Sequence, residues 1–242
     1  MNDFKVVGQM VNASNSTLVI ESNDQRYIYK PRSGERPLWD FPDQTLYLRE
    51  RAAYVTSELL GWNVVPETTI QEGPYGIGSF QKWIDAEPAT VDIFPPNEVP
   101  KGWLTIMSGI DEEGDQVTLA HEDSARLQQI AVFDTLINNA DRKAGHLLTD
   151  DSGNTFGIDH GVTFSAENKL RTVLWGWIGQ GFPEQYLTDL ASLKSKVLGS
   201  ELEELLDQSE IAALLDRLDN LLDRKILPSP SPHWPAVPWP VF

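Results

Sequence analysis

The spacing of apolar positions changes character along the chain, from strand-like alternation in its first third to helical spacing in its last. Phe4-Lys5-Val6-Val7-Gly8-Gln9-Met10, Thr17-Leu18-Val19-Ile20-Glu21 and Arg26-Tyr27-Ile28-Tyr29-Lys30 read as strands. Small polar residues at 12–16 and 22–24 supply the turns between them. A helix is expected over 44–60, with Leu46, Ala53, Val55, Leu59 and Leu60 on its buried face and Gly61 closing it. Strands at 62–70 and 77–84 follow. Residues 85–118, broken by prolines and by Asp-Glu-Glu-Gly-Asp, are expected to be irregular. Helical spacing returns at 124–137 through Leu127, Ile130, Ala131, Leu136 and Ile137, and 184–227 reads as two helices with acidic solvent faces. The proline-rich stretch from 228 is neither helix nor central strand. It either packs back through Trp234 and Trp239 or stays mobile. Strands first and helices later make an α+β chain. Its expected parts are an N-terminal lobe at 1–84, a C-terminal lobe at 85–227 and a tail at 228–242, with the hinge near 82–87.

Composition narrows the class. An apolar share of 40% in 242 residues suffices for a core. The net charge of −17 counts against nucleic acid and anionic membrane as partners, because both are polyanions. With no cysteine there are no disulfides and no thiolate metal sites. The opening MNDFKVVGQM has no apolar leader, and no run of about 18 apolar residues occurs, so a cytoplasmic protein without a transmembrane segment is expected.

The chemistry concentrates in VFDTLINNADRKAGHLLTDDSGNTFGIDHGVTF, residues 132–164. A helix ends in Asn-Asn-Ala-Asp-Arg, a loop carries Lys143 and His146, and a turn at 150–153 leads to a strand delivering Asp159-His160-Gly161. This unit can hold a proton acceptor, Asp141, beside a metal-binding carboxylate, Asp159, and phosphoryl transfer needs both. Asp134, on the apolar face of its helix, is expected to brace the 138–142 loop. Upstream, Lys30 either snorkels to the surface or meets a ligand. Glu50 either pairs with Lys30 or sits beside Arg51 and Tyr54 on the surface. The 12–16 turn is either an ordinary hairpin loop or a cover for an anion. His121, Glu122, Asp123, His146, Asp159 and His160 lack the local spacing of a metallohydrolase, and there is no G-x-S-x-G elbow of a serine hydrolase.

Five blocks, KPRSGERPLWDFP, RERAAYVTSELLGW, NADRKAGHLL, GIDHG and KLRTVLWGW, resemble an uncharacterised, mainly actinobacterial family of phosphatidylinositol 3/4-kinase-like proteins. The Asp-Arg and Asp-x-Gly elements alone resemble the wider atypical kinases, including the HipA and Fam20 branches. The resemblance implies a two-lobed atypical protein-kinase-like fold, a nucleotide partner (ATP) and Mg²⁺, with Mn²⁺ possible. In that reading Asp141 is the base and Arg142 braces its loop. Asp159 binds metal, and His146 stands where most kinases place Asn. Lys30 contacts phosphates and pairs with Glu50, while Ser14, Asn15 and Ser16 cover the phosphates. Gln81, Lys82, Trp83 and Ile84 line the adenine pocket. The acceptor is a protein or small polar molecule rather than a lipid, because there is no polybasic cluster to meet a bilayer. A nucleotide-binding pseudokinase without turnover and an AMP-transferring enzyme are the alternatives.

Overall fold

The structure is a computed structural model that describes residues 4–10, 15–87 and 90–242. Five strands form the first sheet: β1 (Lys5–Gln9), β2 (Leu18–Ser22), β3 (Gln25–Pro31), β4 (Thr68–Gly73) and β5 (Gly76–Lys82), ordered β1-β2-β3-β5-β4. All neighbours run antiparallel. Cross-strand pairing puts Leu18 opposite Tyr29, and Tyr29 opposite Phe80. These side chains and Ile20 form a small apolar cluster on one face. Alternation then turns Lys30 to the other face, away from that cluster.

The helix α1 (Leu46–Leu60) begins two residues later than expected, and Glu35 explains where it begins. The Glu35 carboxylate accepts the free backbone N–H groups of Leu46 and Tyr47 at 3.1 and 2.8 Å. At the other end Gly61 adopts a left-handed conformation, with N–H groups of Gly61 and Trp62 returning to Glu58 and Ser57. The segment 62–66, expected as strand, is a turn whose backbone is held by the Ser57 hydroxyl at Val64 N.

Residues 85–118 are the main correction. They hold β6 (Ala86–Glu87), β7 (Val91–Phe94) and β8 (Trp103–Ile110), and with β9 (Gln116–Glu122) build a second antiparallel sheet, β7-β9-β8. Pro95, Pro96 and Pro100 fall in the connection between β7 and β8, where no ladder N–H is needed. A third sheet, β11-β10-β6, joins β6 to β10 (Leu147–Asp150) and β11 (Thr155–Gly157).

The remainder is mainly helical. Ser124 caps α2 (Ala125–Ile137), its hydroxyl accepting from Leu127 N at 3.2 Å. Where two helices were expected there are three: α3 (Glu184–Val197), a single turn α4 (Leu202–Leu205), and α5 (Gln208–Arg224), which opens on an Asp207/Glu210 capping box. Helix α2 lies in the main core with Leu190, Leu193, Leu214 and Leu218, and α1 joins that core through Ala52, Ala53 and Leu60. Thus α1 packs between the first sheet, at β4 and β5, and the helices α3 and α4. The tail packs back: Ala236 O accepts from Thr172 N and Trp175 Nε1, and Val241 O accepts from Ala144 N. Among the described residues no helix is long and apolar enough to cross a membrane.

Candidate functional site

The loop after α2 is built around one buried cation. Arg142, fully buried, donates from Nε and Nη2 to both oxygens of Asp134 at 2.8 and 2.9 Å. Its Nη1 reaches the carbonyls of Ile158 and His146, at 2.7 and 3.2 Å, and Nη2 also donates to His160 Nε2 at 2.8 Å. Asp134 further accepts from Asn139 Nδ2 at 2.9 Å, so it braces the loop as its place on the helix suggests. Gly157 makes room for this cation, since a Cβ there would lie 2.8 Å from Arg142 Nη2. The backbone turns left-handed at Asn138 (φ 54) and at Asp159 (φ 58), aiming the two loops at each other.

On that base stands a second charged group that faces open space. Lys30 Nζ lies 2.5 Å from Glu50 Oε1 and 2.7 Å from Asp159 Oδ1. Glu50 is buried, and its other oxygen accepts from His160 N at 2.9 Å. Strand β3, helix α1 and the Asp159 loop therefore meet at one ammonium. Burial works against ionising both partners, but mutual attraction outweighs it. Asp159 and Glu50 hold the Lys30 ammonium above its usual range, and Lys30 and then His146 hold the Asp159 carboxyl well below the carboxylate range.

His146 Nδ1 faces the Asp141 carbonyl at 3.0 Å and so carries the proton, which leaves Nε2 as a lone pair 3.4 Å from Asp159 Oδ2. Burial, reinforced by the charges of Arg142, Lys30 and Lys143, pushes the His146 imidazole down to about 4. The Asp141 N–H donates to Asn139 Oδ1 at 3.0 Å within its own loop, and its carboxylate stands 3.7 Å from Lys143 Nζ. Burial and the charge of Asp159 raise the Asp141 carboxyl, against Lys143 and Arg171.

Lys30, Glu50, Asp141, His146 and Asp159 all border one cavity of about 500 Å³, with Asn15 and Ser16 at its edge. Asn15 Oδ1 accepts from Arg36 N at 2.7 Å and Ser16 N donates to Gly34 O at 3.1 Å, so this edge is pinned to the 32–36 turn. Ser14 lies outside the described residues. Arg142 sits beneath the cavity and does not line it. Gln81, Lys82, Trp83 and Ile84 do not line it either. Gln81 donates to Thr68 Oγ1 at 2.9 Å, and the N–H groups of Lys82 and Trp83 are taken by Glu67 O and Arg26 O.

Several lining residues were not expected at the site. Arg171, from the KLRTVLWGW block, faces the cavity, as do Trp39, Trp234 and Trp239. Trp39 and Trp234 stack at 6.3 Å, and Lys169 Nζ sits beside the pair, 5.1 and 5.2 Å from the ring centres. The metallohydrolase grouping is dispersed: His121 is buried and bonded to Glu122 O and Gly176 N, and His160 is bonded to Arg142. Among the described residues the one triple of close potential metal ligands is Asp111, Glu113 and Asp115, exposed on the β8–β9 turn.

In donor chemistry the cavity suits a hard divalent cation. Asp159 offers an anionic oxygen on a half-exposed side chain, and a neutral imidazole nitrogen stands beside it. Waters or the oxygens of a bound anion complete such a shell.

Comparison with known proteins gives a clear relative. No protein-family model matches the chain. Protein Rv2133c of Mycobacterium tuberculosis is 46% identical over 259 residues, spanning 99% of this chain and 92% of that protein. The chain belongs to the Rv2133c family. Among solved structures, a crystal structure of a Helicobacter pylori proinflammatory kinase, CtkA, is similar with a TM-score of 0.49 and 13% identity, over 94% of this chain and 93% of that one. The match to Rv2133c spans nearly the whole chain and so includes the elements that carry Lys30, Glu50, Asp141 and Asp159.

Proposed function

We propose that this member of the Rv2133c family is an ATP- and metal-dependent phosphotransferase of the atypical-kinase type, a cytoplasmic enzyme acting on a protein or small polar acceptor. One observation carries the reading: Lys30 joins Glu50 and Asp159, from three separate elements, at the wall of a cavity that also receives Asp141. Phosphoryl transfer is mostly positioning and charge neutralisation, and these are the groups it requires. Lys30 meets the α/β-phosphates. Asp159 and His146 hold Mg²⁺ or Mn²⁺, which when bound neutralises charge on the phosphates. Asp141, with its raised carboxyl, orients the acceptor hydroxyl and takes its proton. Arg142 acts through the loops, as a positioning residue. Asn15 and Ser16, with Ser14, cover the phosphates, and the adenine lies toward Gln81, Lys82, Trp83 and Ile84.

Calorimetry and a label-transfer assay test this. Asp159→Ala loses metal-dependent ATP binding, whereas Asp141→Ala binds ATP and loses transfer by about 10²–10⁴-fold. Absence of nucleotide binding in the wild type overturns the proposal. His146 favours one second reading, a nucleotide-binding pseudokinase, because a nitrogen stands beside Asp159 where kinases supply an Asn oxygen. Metal-dependent ATP binding with no transfer or adenylation selects it.

A further inference from the structure

On the far side of the metal loop, α5 and the start of the tail enclose a second cavity of about 330 Å³. Arg217, partly buried, stands in its wall and is bonded differently from the other inward-facing arginines. Arg49 and Arg142 are paired with Glu210 and Asp134. Arg217 instead donates only to carbonyls, from Nε to Leu136 O at 2.8 Å and from Nη1 to Ser165 O at 3.1 Å. Its Nη2 is buried without a hydrogen-bond partner, and Arg217 makes no ion pair among the described residues. Burial pushes the guanidinium down to about 10, with Asp216 and Glu210 opposing this only at longer range. Arg224, two turns further along α5, lines the open mouth of the same cavity as an exposed second cation. Asp216 is the one carboxylate in the wall.

The rest of the wall restricts what could balance this charge. Trp175, Leu221, Ile226 and Pro228 present apolar surface, while Asn168 and Ser229 add neutral polar groups. The volume is in the range of small-molecule sites. A bare inorganic anion would leave the apolar side unfilled, and a neutral apolar molecule would cover Arg217 without supplying the charge it lacks. We propose that this cavity is a binding site for a small organic anion, its carboxylate facing Arg217 and Arg224 and its apolar body against Trp175 and Ile226. The site is separate from the cleft of Lys30 and Asp159 and does not depend on the activity assigned there.

The test uses the full chain with naphthoate as probe and naphthalenemethanol as its neutral counterpart, by calorimetry. Naphthoate binds saturably and about tenfold or more tightly than the alcohol, as a charge-assisted contact requires. Arg217→Gln also strips Leu136 and Ser165 of a donor, so its loss of binding could reflect misfolding. Ala213→Phe, which fills the cavity from α5, and Arg224→Gln avoid this. With unfolding midpoints unchanged, each weakens naphthoate by about tenfold, whereas Asp159→Asn in the cleft has no effect. No saturable naphthoate binding, equal affinity for the alcohol, insensitivity to both α5 variants, or loss in Asp159→Asn overturns the proposal.

Discussion

Two charge networks hang on the same pair of loops, and they differ in what surrounds them. In the lower one, Arg142 and Asp134 have no exposed side-chain surface, and every strong donor of the guanidinium ends on a protein atom. In the upper one, Lys30 and Glu50 are largely covered, but Asp159 keeps about half its side chain open to the cavity. The lower network is closed and sets geometry. The upper network has a free side, where a cation could compete with Lys30 for the carboxylate and an anion could compete with the carboxylate for Lys30. Burial of both charges, more than their type or distance, separates framework from site.

The comparison is most severely tested by Arg142→Leu. It leaves Asp134 buried with only Asn139 as partner, and urea unfolding should show a loss of about 3–5 kcal/mol, a large share of a typical domain's stability. Asp134→Leu added to it should recover part of that loss, since the orphaned charge is then gone. Acid gives the next effect. Unfolded, His146 takes a proton near its ordinary 6.5, but folded it does so only at about 4. The unfolded chain therefore binds more protons between these values, and stability falls as the pH drops through that window, by about 3 kcal/mol from His146 alone. His160, held lower by burial and by Arg142, acts in the same direction. Unfolding curves at neutral pH and near pH 5 measure this, and His146→Asn flattens the difference. Smallest for stability is Asp159→Asn, about 1 kcal/mol or less, because its carboxylate is half in water. The same variant should abolish metal-dependent ATP binding. A large stability loss here would erase the distinction between the two networks.

Much of this arrangement is legible in local pattern. The three opening strands alternate clearly because one face packs Leu18, Ile20 and Tyr29. Asp134 announces itself as a carboxylate on an otherwise apolar helix face. The sheet at 91–122 is not legible, and its strand β8 shows why. Thr105, Met107, Ser108, Gly109 and Ile110 are all exposed and only Leu104 and Ile106 pack on the core, so the strand rests mainly on backbone pairing and its apolar alternation is too short to read. Glu35 is invisible for another reason: it caps a helix that starts eleven residues later, across a loop. Arg171 and Trp39 reach the cleft only through tertiary packing. The five motif blocks carry the Lys30, Glu50, Asp141 and Asp159 expectations, and the fold brings these residues to one cavity. Arg142 shows that sharing a motif with a site is different from facing it.

Helix α1 has a consequence for how this molecule could be switched. Its Arg49 is buried against Glu210 of α5 at 2.5 Å and donates to Thr163 O at 3.0 Å, and Arg51 grips Glu201 at 2.7 Å. Glu50 is thus carried on a bolted post. Swinging it outward would strand two buried opposite charges, at a cost of about 3–5 kcal/mol, so a displaced helix would occur in on the order of one molecule in a hundred or fewer. The Lys30–Glu50 contact is then a permanent fixture of the resting protein, and an on–off signal has to travel by a route other than this helix.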